Sequence, residues 1–244
     1  MLFVMNVYAA IALCFVPLTL LFVLIHIFSH MKIINELLAV LFGLFAVLPI
    51  SFLQFYIGSF SFFTSNNWIT QLLHIILFNG LIEELFKALA LAFFPSRKIT
   101  LGNFFLCALL CGMSLACFES AIYFLQELQQ AHAFGAQLIY RQIFMRMFTA
   151  DIVHMLCAGL GGLFIWSVKH HKIAPLAIIC AVLLHGLYDF FALYDTLRIF
   201  SIVAILLMTV QCRLSYLTQV ERNSEQTAAT KKNRTVKRSA RGGA

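Results

Sequence analysis

Charge is the scarcest commodity in this chain. Of 244 residues, 17 are Lys or Arg and 10 are Asp or Glu, together 11%, where a soluble domain carries about a quarter. With 62% of residues apolar, a soluble globular fold is excluded and the chain reads as a polytopic membrane protein. There is no ten-residue alternation of apolar and polar side chains, so the spans are helices and not barrel strands. No CxxC occurs, and the cysteines are odd in number. Cys14, Cys107, Cys111, Cys117, Cys157, Cys180 and Cys212 lie in or at the ends of apolar runs and read as buried structural thiols. HExxH and GxSxG are both missing, so neither the common zinc-protease helix nor a serine nucleophile elbow is present. Ser114 and Ser120 read as packing residues. No internal repeat of the kind that marks many transporters is present.

What is there is a series of apolar runs, each near the roughly 20 residues that cross a hydrocarbon core. They cover about 6–28, 34–57, 69–95, 102–128, 147–168, 173–194 and 196–215. The fold class is therefore all-α, a transmembrane helical bundle of about seven helices. Pro17 and Pro49 fall inside runs and predict kinks, while Pro175 stands near a helix start, where a proline costs no hydrogen bond. Gly112 with Ala116, and Ala158 with Gly162, are small-xxx-small pairs that allow close helix approach. The first run lacks a basic leader and a clear cleavage site, and reads as a retained helix. Lys32, Arg97, Lys98, Lys169, Lys172, Arg213 and the tail cations fall on one face, and Arg141, Arg146 and Arg198 on the other; the loop FTSNNW on that second face has no charge. Positive-inside bias then puts the N-terminus outside and the C-terminus in the cytoplasm. From 217 the chain turns polar and basic. It divides into a transmembrane domain, 1–216, and a tail, 217–244, expected to be disordered. The net charge of +7 sits in this tail and the inner loops, which suits an anionic lipid surface and not nucleic acid.

Ionisable groups inside spans are costly and usually functional. In LIEELFKALA, residues 81–90, Glu83, Glu84 and Lys87 stand mid-span; Glu119, Asp151, His154, His185 and Asp189 complete the set. His26 and Glu36 read as interfacial, His74 as a packed histidine, and His132, His170 and His171 as loop residues. At 1.5 Å per residue from the cytoplasmic ends, Glu84 lies roughly 18 Å deep, His185 roughly 20 Å and His154 roughly 22 Å, while Glu119, Asp151 and Asp189 lie near 25 to 27 Å. Four spans thus deliver ionisable groups to one layer, which predicts a buried polar site between the third and sixth spans.

Spacing adds detail. Lys87 shares a helix face with both glutamates and can neutralise one of them; the other remains for chemistry. Glu119 and Tyr123, and His185 and Asp189, are four apart; Asp151 and His154 are three apart. An acid one turn away fixes an imidazole's tautomer and raises its basicity, which serves general-base catalysis and metal ligation alike. Two carboxylates in one apolar setting repel each other, the condition under which one residue type supplies both an acid and a base. An Asp/Glu/His layer also makes proton relays, so a proton- or ion-coupled small transporter and an inactive membrane scaffold stand beside an enzyme.

Three motifs narrow the choice. Glu83-Glu84-Leu-Phe-Lys87 matches EExxK, Phe118-Glu119-Ser-Ala-Ile-Tyr123 matches FExxxY, and His185-Gly-Leu-Tyr-Asp189 matches HxxxD. In order, spacing and placement, residues 70–195 resemble the PrsW family of intramembrane proteases, within the superfamily of CAAX prenyl endopeptidases and bacteriocin-processing (Abi-type) membrane proteases. His154 fits a further isolated histidine of that pattern. The prenyl-processing forms EExxxR and FxxxH are absent, because positions 88 and 122 are Ala88 and Ile122. The resemblance implies a bacterial cytoplasmic-membrane peptidase that hydrolyses peptide bonds of membrane-embedded protein substrates, as in site-1 cleavage of a single-span anti-sigma factor. The implied catalytic set is Glu83, Glu84, Glu119, His154, His185 and Asp189, with Lys87, Phe118, Tyr123 and Asp151 in support. Glu84 or Glu83 would act as base, Asp189 would orient His185, and the cofactor is either none or a divalent metal such as zinc on His154, His185 and Glu119. The segment 127–146 mixes apolar, aromatic and cationic residues and can lie along the membrane surface; it reads first as a simple connector, and alternatively as a cover over the outer mouth of the site that admits substrate.

Overall fold

The structure, a computed structural model, describes residues 7–58, 67–96, 99–134, 136–170 and 173–242. Arg97, Lys98, His171, Lys172 and most of the FTSNNW loop lie outside the described residues. Among those described there are helices and connections and no strand. Helices α1 (Val7–Cys14) and α2 (Val16–Ser29) meet at 40°. Pro17 stands in the first turn of α2, where its missing N–H has no partner to lose. The expected kinked span is therefore a pair of helices. Helix α3 (Ile33–Gly58) runs on through Pro49. Helix α4 (Trp68–His74), a π-helical segment (Ile75–Leu81) and α5 (Ile82–Phe93) follow without a gap. Helices α6 (Leu101–Phe134), α7 (Ala136–Phe148), α8 (Ala150–Lys169), α9 (Leu176–Leu193) and α10 (Arg198–Gly242) complete the chain.

Among the described residues, five stretches are long and apolar enough to cross a membrane: Ile33–Tyr56, Leu101–Glu127, Ile139–Lys169, Leu176–Leu193 and Asp195–Glu225. The α1–α2 pair makes a sixth. The run expected at 69–95 is helical over Trp68–Phe93, but the π segment divides it into pieces of 7, 7 and 12 residues. The basic stretch from 217, expected to be disordered, continues α10 to Gly242. It has no proline, and its alanines, lysines, arginines and glutamine favour helix. The outward faces carry Phe52, Phe55, Leu89, Phe93, Leu206 and Val210, all exposed, as an integral membrane bundle in lipid requires. His26 Nδ1 lies 3.0 Å from Glu36 Oε2 and ties α2 to α3. Glu36 is fully buried against its neighbours and stands in the first turn of α3, at the end of its helix.

Lipid is as apolar as leucine, so the helices are held by close packing and hydrogen bonds more than by a hydrophobic drive. Helix α6 lies centrally and touches α1, α2, α3, α7 and α8. Two crossings place the site. Where α6 meets α8, a Cβ on Gly112 would fall 2.4 Å from the His154 carbonyl oxygen, and one on Gly162 would fall 2.4 Å from Ala108 Cβ. The small-residue pairs expected to pack are thus the contact that sets Glu119 beside His154. Where the π segment meets α9, a Cβ on Gly80 would fall 2.7 Å from the Val182 carbonyl oxygen, and one on Gly186 would fall 2.6 Å from Ile76 Cα. This crossing brings His185 onto the start of α5.

Candidate active site

Glu83 and Glu84 occupy the first turn of α5, and Lys87 the next. All three are buried, as are His154 on α8 and His185 on α9. Lys87 Nζ lies 2.7 Å from Glu84 Oε1 and 3.7 Å from Glu83 Oε2, so it serves both carboxylates. It also lies 2.9 Å from His154 Nδ1. Being neighbours on a helix, the two glutamates diverge. Glu84 turns to α9, its Oε1 2.8 Å from His185 Nδ1. Glu83 turns to a cavity of about 790 Å³ that Glu83, Glu119, His154, His185 and Asp189 line; Glu84 and Lys87 are not among its lining residues.

Each imidazole is held by a carboxylate from another helix. His185 has Glu84 at its Nδ1. His154 has Glu119 Oε2 2.8 Å from its Nε2. The expected partners were the acids one turn away on the same helices. Asp189 Oδ2 instead stands 3.8 Å from His185 Nε2 with 26% of its side chain exposed, and Asp151 accepts a hydrogen bond from Ser120 Oγ at 2.9 Å. Helix rotation brings the inter-helix acids closer than the intra-helix ones. The two rings meet edge to face, centroids 4.9 Å apart.

The remaining nitrogens converge. Glu83 Oε2 lies 3.4 Å from His154 Nδ1 and 3.8 Å from His185 Nε2, and is buried without a hydrogen-bond partner. Glu83 Oε1 accepts from Gln54 Nε2 of α3 at 2.9 Å. A tetrahedral ion with bonds of about 2.0–2.1 Å needs ligand atoms roughly 3.3 Å apart. One atom each from Glu83, His154 and His185 meet within 4.8 Å of one another, with Lys87 Nζ beside them, 3.7 Å from Glu83 Oε2 and 2.9 Å from His154 Nδ1. This set fits a divalent metal. Each ring gives its outer N–H to a carboxylate, the arrangement that metal-binding histidines use. Glu119, named with His154 and His185 as a candidate ligand, stands on the far nitrogen of His154, outside this group. A second group, Glu84, Cys157 and His185, is already satisfied: Glu84 holds His185 Nδ1, and Cys157 Sγ donates to the Ala181 carbonyl oxygen at 3.6 Å.

Tyr123, whose spacing lets its phenol reach Glu119 or a substrate, lines the cavity, and its ring lies 4.3 Å from the guanidinium carbon of Arg146. Phe118, the first residue of FExxxY, packs edge-on against Phe15, centroids 4.8 Å apart, and belongs to an apolar cluster of α3 and α6. The sequence reading missed Gln54 and Arg146. The first is a lone amide within an apolar span, the only mark that draws attention to it. The second was counted as a surface cation. Ser120 is not a mere packing residue either, for Arg146 Nε donates to its Oγ at 3.1 Å. From the segment 127–146, Glu127, Arg141, Gln142, Met145 and Arg146 line the cavity.

The family model of PrsW family intramembrane metalloproteases matches residues 33–213, well over half of the chain, and the chain belongs to that family. No curated protein and no solved structure matches it.

Proposed function

We propose that this member of an intramembrane peptidase family cuts membrane-embedded protein substrates inside the cavity, with Glu83, His154 and His185 as the residues that would hold a divalent metal such as zinc. The observation that carries this reading is Glu83 Oε2, buried without a partner between two inward-facing imidazole nitrogens. When bound, the metal would polarise the scissile carbonyl and make water nucleophilic near neutral pH.

The chain's own residues do the rest. Glu84 takes the N–H of His185 Nδ1, and Glu119 that of His154 Nε2. The nitrogens left on the inner side are His185 Nε2 and His154 Nδ1, the latter 2.9 Å from Lys87 Nζ, which a bound metal would have to displace. Lys87 offsets the charge of Glu83 and Glu84, which would otherwise repel in an apolar wall. Gln54 holds the outer oxygen of Glu83, so its carboxylate cannot swing. Asp189 Oδ2, about a quarter open beside His185 Nε2 on the cavity wall, takes the proton of the attacking water and returns it to the leaving amine. Glu84 then acts by positioning, and Glu83 is the glutamate that faces the substrate. Substrates of the single-span anti-sigma type suit a site reached within a membrane bundle. The placement we propose is a bacterial cytoplasmic membrane with the N-terminus outside, so that the cavity, lined by Arg141, Arg146 and Arg198, opens outward.

The test needs no guess at the substrate. New chain ends of membrane proteins are compared by mass spectrometry in cells that make the wild type or Glu83→Gln, at matched amounts. Fragments present only with the wild type establish proteolysis and name the substrates. Identical fragment sets under several stresses would overturn the proposal and favour ion coupling or a scaffold.

A further inference from the structure

Arg146 lies on α7, outside the three motifs, and reaches the site through two contacts. Its Nη2 donates to Glu119 Oε1 at 3.3 Å, and its Nε to Ser120 Oγ at 3.1 Å. Ser120 in turn donates to Asp151 Oδ1 at 2.9 Å, and the guanidinium lies over the Tyr123 ring. The cation is thus fixed by two hydrogen bonds and one ring face, all three on α6, and Ser120 links it onward to Asp151 of α8.

We propose that Arg146 is a positioning residue for the proteolytic reaction: through Glu119 it holds the His154 ring in place at the cavity. The guanidinium donates to Oε1 and so fixes the orientation of Glu119. Glu119 Oε2 in turn lies 2.8 Å from His154 Nε2, while His154 Nδ1 lies 2.9 Å from Lys87 Nζ and 3.4 Å from Glu83 Oε2, so the ring is gripped at both nitrogens. Without Arg146, Glu119 loses the donor that fixes its Oε1, and the grip on His154 Nε2 loosens. The arginine also makes α7, which lines the cavity with Arg141, Gln142 and Met145, part of the same hydrogen-bonded unit as His154. Seating of α7 over the cavity and alignment of the imidazole become one event.

This inference rests on the protease reading and is tested so that the two fail separately. A double-mutant cycle of Arg146→Met and Glu119→Gln is run on the full-length protein in detergent, with two readouts: cleavage of a substrate found in the chain-end comparison, and retention of zinc against a competing chelator. Arg146→Met should lower kcat and weaken zinc retention, each by roughly 10 to 100-fold, with little change in KM. Arg146→Lys, which can reach Glu119 but not Ser120 as well, should recover part of both. In the Glu119→Gln background, Arg146→Met should add less than about threefold, because residues that act through one another are not additive. Losses that multiply, or an Arg146→Met protein that loses stability but keeps kcat and zinc, would overturn the positioning role. A wild type that cleaves nothing yet shows the same coupling in zinc retention would sink the protease reading alone.

Discussion

Lys87→Met is the sharpest test of how this bundle tolerates charge. The ammonium is fully buried, 2.7 Å from Glu84 Oε1 and 3.7 Å from Glu83 Oε2. At an effective dielectric of about 20, a pair at the shorter distance attracts by roughly 6 kcal/mol. Desolvation of both ions consumes much of that, so the net worth of the pair is small. Removing one member is another matter, because the desolvation of the remaining carboxylates is then uncompensated; such truncations cost about 3–5 kcal/mol. Methionine fills nearly the same volume, so little of the loss comes from a cavity. The assay is unfolding in mixed micelles with a rising fraction of a denaturing detergent, followed by helical circular dichroism. Lys87→Met should unfold earlier by that amount. Adding Glu84→Gln removes the stranded charge and should recover at least half of the loss, although cleavage stays abolished because His185 has lost its anionic partner. A single variant within about 0.5 kcal/mol of wild type, or a double variant no better than the single, would refute the reasoning.

Gly112→Val should cost about 3 kcal/mol or more and abolish cleavage, because its Cβ would meet the His154 carbonyl oxygen at 2.4 Å and backbone cannot yield. Gly161→Ala is the control: its Cβ would meet only Ile178 Cδ1 at 3.8 Å, and melting temperature and cleavage should stay at the wild-type level or rise slightly. Gln54→Leu removes the donor at 2.9 Å to Glu83 Oε1; a hydrogen bond to a charged group is worth about 1.5–3 kcal/mol, so kcat should fall roughly tenfold or more while the fold survives. Phe118→Leu, despite its place in FExxxY, should leave cleavage within about twofold and cost only about 1 kcal/mol in the unfolding assay, because its ring packs on Phe15 and not on the cavity.

Depth along a helix is linear in residue number, at 1.5 Å per residue. That is why Glu83, Glu84, Glu119, His154, His185 and Asp189 were legible as one layer before any helix was packed, and why the small-residue pairs at Gly112 and Gly162 could be read as a crossing. Rotation about the helix axis is not linear in the same way. The π segment Ile75–Leu81 takes more residues per turn than 3.6, so positions before it, such as Gln71, cannot be related to Glu83 by α-helical arithmetic. Its only trace in sequence is Asn79-Gly80 within an apolar run. The same limit explains the mistaken acid partners. Spacing can say that Asp189 and Asp151 share a face with His185 and His154, but not that Glu84 and Glu119 from other helices come closer.

The division between the two glutamates follows from that rotation. Their motif makes them look equivalent, and composition offers nothing to separate them. Packing does: the crossing at Gly80 and Gly186 presses α9 onto one side of α5, so Glu84 is consumed by Lys87 and His185 while Glu83, about 100° round the helix, is left facing the cavity with an unpaired oxygen. Glu84 Oε2, Glu36 Oε1 and Asp151 Oδ2 are likewise buried without a hydrogen-bond partner, so it is its place on the cavity wall that sets Glu83 apart from Glu84. Under the proposed reading, the adjacent acids divide the work: Glu84 supports His185, and Glu83 is the one that meets what enters the cavity.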